Sequence, residues 1–346
     1  MLQKPYDYLI FIGRFQPFHL GHQAVVKTAL DQSERVIILL GSSYQPSSVR
    51  NPWSFVEREQ FIQQSFLDEE LEHIITAPLR DLYNDANWVK QVEGVVAGIV
   101  QGYSVGNSLA PRIGLIGHSK DHSSYYLSLF PQWGAVDVTS FEHLSATPLR
   151  DYYFSQAAVP DGLSDSLVNT LQEYLQAPAY AYLKAEYEFL QRYKKSWQRA
   201  PYPPIFVTVD ALVVQGKYIL LIEREGHPGK GLWALPGGFV ETYERLEDAV
   251  IRELNEETQI KISKGTLQQS ICDKAVFDSP YRSARGRTIS HAYLFVLADD
   301  EGLAEVIGSD DAKCAFWLAI ADIDSEKMFE DHAHIIQTVL SRNSLN

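Results

Sequence analysis

The sequence predicts two domains in tandem: an N-terminal α/β domain of the Rossmann-like, doubly wound type with a parallel sheet, followed by an α+β domain. Three observations carry this. The chain has 346 residues, more than one ordinary domain needs. Its first half alternates short apolar runs with amphipathic helical stretches, the pattern of a parallel sheet covered by helices. After Pro201-Tyr-Pro-Pro204 the character changes to hairpin-like β runs around a single acidic helix.

Tyr8 to Ile12 reads as the first strand, and His22, Val25, Val26, Ala29 and Leu30 then recur at helical spacing. Arg35 to Leu40 is the second strand. Ser54-Phe-Val-Glu57 is a capping box opening a helix expected to run through Phe61, Ile62 and Phe66. His73 to Ala77, Ile113 to Ile116 and Val136 to Phe141 complete five strands, and Thr147-Pro148 opens another helix with Thr as N-cap and Pro at the first helical position. Residues 1–187 form the first domain, 188–204 a linker and 205–346 the second domain, although Tyr180 to Trp197 also has helical periodicity. Phe206 to Val214 and Lys217 to Glu223 form a hairpin across Gln215-Gly216, with further strands at Ile289 to Leu297 and Ala315 to Leu318.

Composition narrows the function. A formal net charge of -14 disfavours a sequence-independent nucleic-acid binder, which needs a broad basic surface. It leaves room for small phosphate ligands held by a few focused cations. Only Cys272 and Cys314 are present, so a disulfide framework is not expected and a reducing cytoplasm is the expected setting. The apolar run near the start stops at Gly13-Arg14, far short of a membrane span, so no membrane partner is expected. A homo-oligomer is left open.

Two constellations carry chemistry. Gly13-Arg-Phe-Gln-Pro-Phe-His19-Leu-Gly-His22 follows a strand and enters a helix. Gly13 permits close approach of a ligand, and two imidazoles stand near a helix N-terminus that favours anions. Ser145-Ala-Thr147-Pro-Leu-Arg150 places an Arg in the first turn of another helix, within reach of phosphate oxygens. In the second half, GFVETYERLEDAVIRELNEETQI, residues 238–260, puts Glu253, Glu256 and Glu257 on one helix face. Such like charges repel unless they face water or bind a hard cation such as Mg²⁺.

The first string resembles the GxFxPxHxGH signature of the nucleotidylyltransferases, and Ser145, Thr147 and Arg150 resemble that family's Ser-x-Thr-x-x-Arg motif. Gly117-His-Ser-Lys120-Asp121-His-Ser-Ser-Tyr-Tyr126 and Asn87-Trp88-Val89 are similar to archaeal-type nicotinamide-mononucleotide (NMN) adenylyltransferases. The resemblance implies ATP plus NMN giving NAD and pyrophosphate. His19 and His22 then act near the reacting phosphates, Arg150 on the departing pyrophosphate, and Mg²⁺ bridges the triphosphate. Gly13, Arg14, Arg50, Ser145 and Thr147 are implied ATP or phosphate contacts, and Trp88, Lys120 and Asp121 implied mononucleotide contacts. Trp88 can equally anchor its own helix.

Residues 238–260 resemble the Nudix box, Gly-x5-Glu-x7-Arg-Glu-U-x-Glu-Glu-x-Gly-U, with Gly238, Glu244, Arg252, Glu253, Glu256, Glu257 and Ile260 in register. The closing Gly of the box is Gln259 here, and a different exit from the helix is expected to accommodate it. The resemblance implies a Nudix fold for the α+β domain. It also implies Mg²⁺ held by Glu253, Glu256 and Glu257 with Gly237, and Gly238, Glu244 and Arg252 in support. Phe277 to Arg287 resembles ADP-ribose-cleaving Nudix proteins, which makes Arg282, Arg285 and Arg287 implied ADP-ribose contacts, and Glu241, just upstream of the box carboxylates, is a further candidate metal ligand or ADP-ribose contact. His332 and His334 are expected at the surface or as caps. Together the resemblances point to bifunctional NMN adenylyltransferase/ADP-ribose pyrophosphatases, yielding AMP and ribose 5-phosphate from ADP-ribose. Two alternatives stay open: another phosphate acceptor for the transferase, and a Nudix domain that binds ADP-ribose or NAD without cleaving it.

Overall fold

The computed structural model describes residues 4–103, 110–117, 128–138, 144–299, 302–307 and 312–345. The chain folds into two compact units, Met1–Lys184 and Ala185–Asn346.

The first unit runs β1 (Tyr6–Gly13), α1 (Leu20–Gln32), β2 (Ser33–Leu40), α2 (Phe55–Gln63), α3 (Asp68–Leu71), β3 (Ile74–Pro78), α4 (Asp85–Tyr103), β4 (Ile113–Gly117), β5 (Gly134–Asp137), α5 (Ala146–Gln156), α6 (Asp165–Tyr174) and the start of α7 (Pro178–Ser196). Its sheet is parallel throughout, in the order β3-β2-β1-β4-β5. β1 and β2 are nearly continuous apolar runs because helices cover both faces. The strand order reverses between β1 and β4, so the crevice at the carboxyl end of β1 is where such a sheet receives a ligand. The segment from Gly13 to His22 emerges there.

Three expectations need correction. α2 ends at Gln63, before Phe66, which is buried outside the helix. α5 starts one residue after an extended Ser145, so Ser145 is the N-cap, and Thr147 and Pro148 are the second and third helical residues. The last expected strand is described only as Gly134–Asp137, and Thr139, Ser140 and Phe141 lie outside the described residues.

The division between units falls within α7, and helix continues through the first half of the expected linker. The reason is packing: Tyr193 and Trp197 set their rings on Phe206 at 5.8 and 5.2 Å.

The second unit continues with β6 (Ile205–Gln215), β7 (Tyr218–Arg224), β8 (Trp233–Ala234), β9 (Gly237–Phe239), α8 (Leu246–Thr258), α9 (Lys264–Ser270), β10 (Ile271–Phe277), β11 (Arg287–Leu297), β12 (Ala312–Ala319) and α10 (His332–Arg342). The sheet is mixed, in the order β10-β11-β6-β7-β12, with β9 paired to β6 and β8 to β7. β6 and β7 form the expected hairpin, closed by Gly216 at φ 58°. Alternation along β6 builds two cores. Val209, Ala211 and Val213 pack with Ala249, Val250 and Leu254 of α8. Leu212 and Val214 pack with Ile335, Ile336 and Val339 of α10. One sheet thus fixes α8, with its acidic face, and α10 on opposite sides.

Candidate functional sites

In the first unit, Gly13 ends β1, and a Cβ there would lie 2.8 Å from Phe15 Cζ. A side chain at this position would therefore run into the ring of Phe15, so packing by itself calls for glycine here. Phe15 and Phe18 pack beneath the His22 ring, with centroids 4.9 and 5.6 Å away. His19 is the N-cap of α1 and stacks on His22 at 3.6 Å. His22 Nδ1 accepts the His19 backbone N–H at 3.2 Å. A nitrogen that accepts has its lone pair occupied, so the ring hydrogen sits on Nε2, which can donate to an anion.

Arg150 is 7% exposed and donates to the Gln16 carbonyl at 2.5 Å and to the Thr147 hydroxyl at 3.2 Å. Burial first, then the charges of Arg14 and Arg50, lower its pKa to about 9. Burial and Arg50 likewise lower Arg14 to about 10, with Asp81 opposing. Arg14 Nη1 is buried with no hydrogen-bond partner among the described residues. Three guanidiniums that repel one another concentrate positive charge at this end of the sheet, and an anion placed among them would relieve the repulsion.

Sequence reasoning missed what holds this site open. Arg58, fully buried on α2, donates from Nη1 to the carbonyls of Arg14 and Gly41, both at 2.7 Å, from Nε to Ser54 O and from Nη2 to Ser43 Oγ. It ties the ends of β1 and β2 together. The readable signal was its i, i+3, i+4 register with apolar Phe61 and Ile62. Asp81, which no motif marks, accepts the Ser42 N–H and hydroxyl at 3.0 and 2.6 Å. Trp88 is half-buried on α4 and meets Phe130 edge-on at 5.8 Å, so it does anchor its helix. Lys120 and Asp121 lie outside the described residues.

In the second unit, Arg252 organises the acidic face. It holds Glu244 through two bonds of 2.6 and 3.0 Å, Glu253 at 2.9 Å and Glu256 at 2.8 Å, and its hydrogen bonds to these carboxylates, Glu244 foremost, raise its pKa. Glu244 lies before α8 and accepts the Glu241 N–H at 2.8 Å, which leaves the Glu241 side chain exposed. Glu257 is buried and accepts the Gly237 N–H at 2.8 Å. Burial raises the pKa of Glu253, against Arg252.

Among the described residues no three acidic, His or Cys side chains are gathered closely enough to hold a metal as they stand. Arg252 and the Gly237 amide take the charge of the three carboxylates instead. The donor set still suits a hard cation. A Cβ on Gly238 would come within 2.5–2.7 Å of the Glu253 carboxylate, so this loop and α8 approach closely, and Glu256, with 45% of its side chain exposed, is able to turn.

Gln259 takes the left-handed conformation, φ 47° and ψ 33°, with its N–H on Asn255 O at 2.9 Å. The expected different exit is thus corrected: the Gly-type exit is kept, and a side chain there costs roughly 1–2 kcal/mol. Gln259→Gly is expected to raise the unfolding free energy of the C-terminal unit by about 1 kcal/mol, read from denaturant melts. An unchanged midpoint would contradict the strain.

The three arginines expected at the ligand diverge. Arg282 is buried and gives both arms of its fork to Asp331, at 2.9 and 2.8 Å. Arg285 lies over the rings of Phe239 and Phe329, at 5.1 and 5.9 Å. Arg287 donates to the Asp278 carbonyl. Arg282→Met leaves Asp331 buried without its cation, and a loss of about 3–5 kcal/mol is expected in the same melts. A loss below about 1 kcal/mol would show that the pair is dispensable.

His332 is 7% exposed, contrary to the surface expectation, and burial lowers its pKa to about 3. His334 sets its ring edge-on to Phe277 at 5.9 Å, within the domain. Asp210, bonded to Ser290 and 3.9 Å from His332 Nε2, is a buried acid that no sequence pattern had singled out.

Fold and sites define a nucleotide-handling enzyme of two catalytic modules. Residues 10–101 match the cytidylyltransferase-like family model and residues 204–339 the NUDIX domain. The chain is 39% identical over 183 residues to a nicotinamide/nicotinic acid mononucleotide adenylyltransferase of Acinetobacter baylyi, covering 53% of this chain and 94% of that protein. It is 39% identical over 131 residues to an ADP-ribose pyrophosphatase of Methanocaldococcus jannaschii, covering 38% of this chain and 70% of that protein. A bifunctional NMN adenylyltransferase/ADP ribose pyrophosphatase of Francisella tularensis, solved with AMP and a manganese ion, superposes with a TM-score of 0.90 at 36% identity, over 97% of this chain and 99% of that one. The chain belongs to this family of bifunctional NMN adenylyltransferase/ADP-ribose pyrophosphatases. No helix among the described residues is long and apolar enough to cross a membrane.

Proposed function

We propose that the first domain joins ATP and NMN into NAD and pyrophosphate, and that the second hydrolyses ADP-ribose to AMP and ribose 5-phosphate. The convergence of Arg14, Arg50 and Arg150 beside His19 and His22 carries the first half of this reading. The mononucleotide phosphate forms a bond to the α-phosphorus of ATP while the bond to pyrophosphate breaks. Both reactants are anions, so positioning and charge stabilisation supply most of the rate. His22 donates from Nε2 to a phosphate oxygen near the reacting phosphorus. Arg150 and Arg14 receive the negative charge that builds on the leaving pyrophosphate, with Arg50, Ser145 and Thr147 along the triphosphate. Trp88 offers an aromatic surface to the nicotinamide ring, a flat cation suited to it, and Lys120 and Asp121 are the further mononucleotide contacts of this reading.

In the second domain Glu253, Glu256 and Glu257, with Gly237, are the residues to hold a divalent cation, Mg²⁺ in the cell. The cation supplies charge neutralisation at the diphosphate and a water activated for attack on phosphorus. Arg252 and Glu244 hold the carboxylates in place, Gly238 admits Glu253, and Glu241 and Arg285 face the substrate. Arg282 acts through Asp331, and Arg287 braces the loop it ends. An acceptor panel tests the transferase: ATP and Mg²⁺ are offered NMN, nicotinate mononucleotide or phosphopantetheine, with pyrophosphate release as readout. NMN is expected to turn over fastest. Turnover with phosphopantetheine alone would overturn the assignment.

A further inference from the structure

The peptide from Leu235 to Gly237 is held at three successive points. The Leu235 N–H donates to His332 Nδ1 at 3.0 Å. The Pro236 carbonyl accepts the Ala211 N–H at 2.7 Å, and the Gly237 N–H donates to Glu257 Oε2 at 2.8 Å. The second point belongs to the sheet and the third is the carboxylate itself. Only the first is a side chain brought from far along the chain, 97 residues away.

His332 is well placed for such a duty. It opens α10, whose Ile335, Ile336 and Val339 are sunk in the second core. The turn before it is fixed by the Phe329 N–H on Trp233 O at 2.7 Å, and by Asp331 gripping Arg282. Its Nε2 faces Asp210, 3.9 Å away, on the strand that pairs with Gly237. With Nδ1 accepting the Leu235 N–H, the ring hydrogen sits on Nε2, on the side of Asp210.

We propose that His332 is a positioning residue of the metal site: it accepts the Leu235 N–H and so aims the Gly237 amide at Glu257, which fixes that carboxylate for the divalent cation. The inference rests on the proposed hydrolase reading. Supporting groups of this kind are worth about 10–100-fold in metal affinity or activity.

The test uses the full chain and Mn²⁺, with binding followed by electron paramagnetic resonance and the Glu257→Gln protein defining the ions bound at this site. Asn presents an acceptor near the place of Nδ1, whereas Gln reaches toward that of Nε2. His332→Ala and His332→Gln are expected to weaken Mn²⁺ binding about tenfold or more and to raise the Mn²⁺ concentration for half-maximal ADP-ribose hydrolysis by a similar factor. His332→Asn is expected to restore most of both, and NAD synthesis serves as the control for an intact preparation. Should His332→Ala fold poorly, the Asn and Gln variants decide the matter between them. Equal Mn²⁺ affinity in wild type, Asn and Gln proteins would overturn the positioning role while leaving the hydrolase reading intact. A wild-type protein with no Mn²⁺ bound at this site would overturn both.

Discussion

Glu257→Gln is expected to lower ADP-ribose hydrolysis by about a hundredfold or more while NAD synthesis stays at the wild-type rate. Glu257 is the most enclosed of the three box carboxylates and already accepts the Gly237 N–H. Gln keeps an acceptor oxygen of the same reach, so the peptide at Gly237 keeps its partner and the fold is spared. What disappears is one unit of negative charge where a divalent cation is to be held. A hundredfold is about 2.7 kcal/mol of barrier, modest beside what metal-assisted charge stabilisation supplies. Loss of less than about tenfold in kcat, at saturating Mg²⁺, would remove Glu257 from the metal site.

The second large effect is expected at Arg150. Arg150→Met should reduce NAD synthesis by about a hundredfold or more and leave ADP-ribose hydrolysis unchanged. Its guanidinium is buried beside two other arginines and its pKa is held at about 9, so its charge costs the free protein stability. Removing it relieves that repulsion at the expense of the bonds to the Gln16 carbonyl and the Thr147 hydroxyl. The fold therefore has little to lose, and a fall in rate reports on the phosphates. A variant that lost stability and kept its turnover would mean that Arg150 serves the loop at Gln16 only.

Much of this was legible in the sequence because both sites are compressed into short strings at element junctions. Gly13 to His22 spans a strand end and a helix start, and Gly238 to Gln259 spans a loop and one helix, so spacing alone sets which side chains share a face. What was not legible depends on burial. Arg58 stands in a capping-box helix and could be a surface residue, until two strand ends are found to close on it. Arg282 and Arg285 lie three apart in one loop, yet Asp331 draws the first inward and aromatic rings hold the second. His332 reads from sequence as a surface or capping residue because no local pattern announces that Leu235 requires an acceptor. The strand Ile271–Phe277 was missed because Asp273 and Lys274 interrupt its apolar run. Gln259 shows the reverse: the sequence flagged a departure, and the backbone absorbed it without changing its path.

The central claim, two working active sites on one chain, is most directly tested on the C-terminal side. There the hold of Arg252 on Glu253 and Glu256 also suits a domain that binds without cutting. Purified full-length protein is incubated with ADP-ribose and Mg²⁺, and the products are resolved by chromatography. AMP and ribose 5-phosphate in equal amounts are the expected result. Metal-dependent binding of ADP-ribose with no turnover would contradict the claim, making the second domain a sensor and leaving adenylyl transfer as the chain's only chemistry.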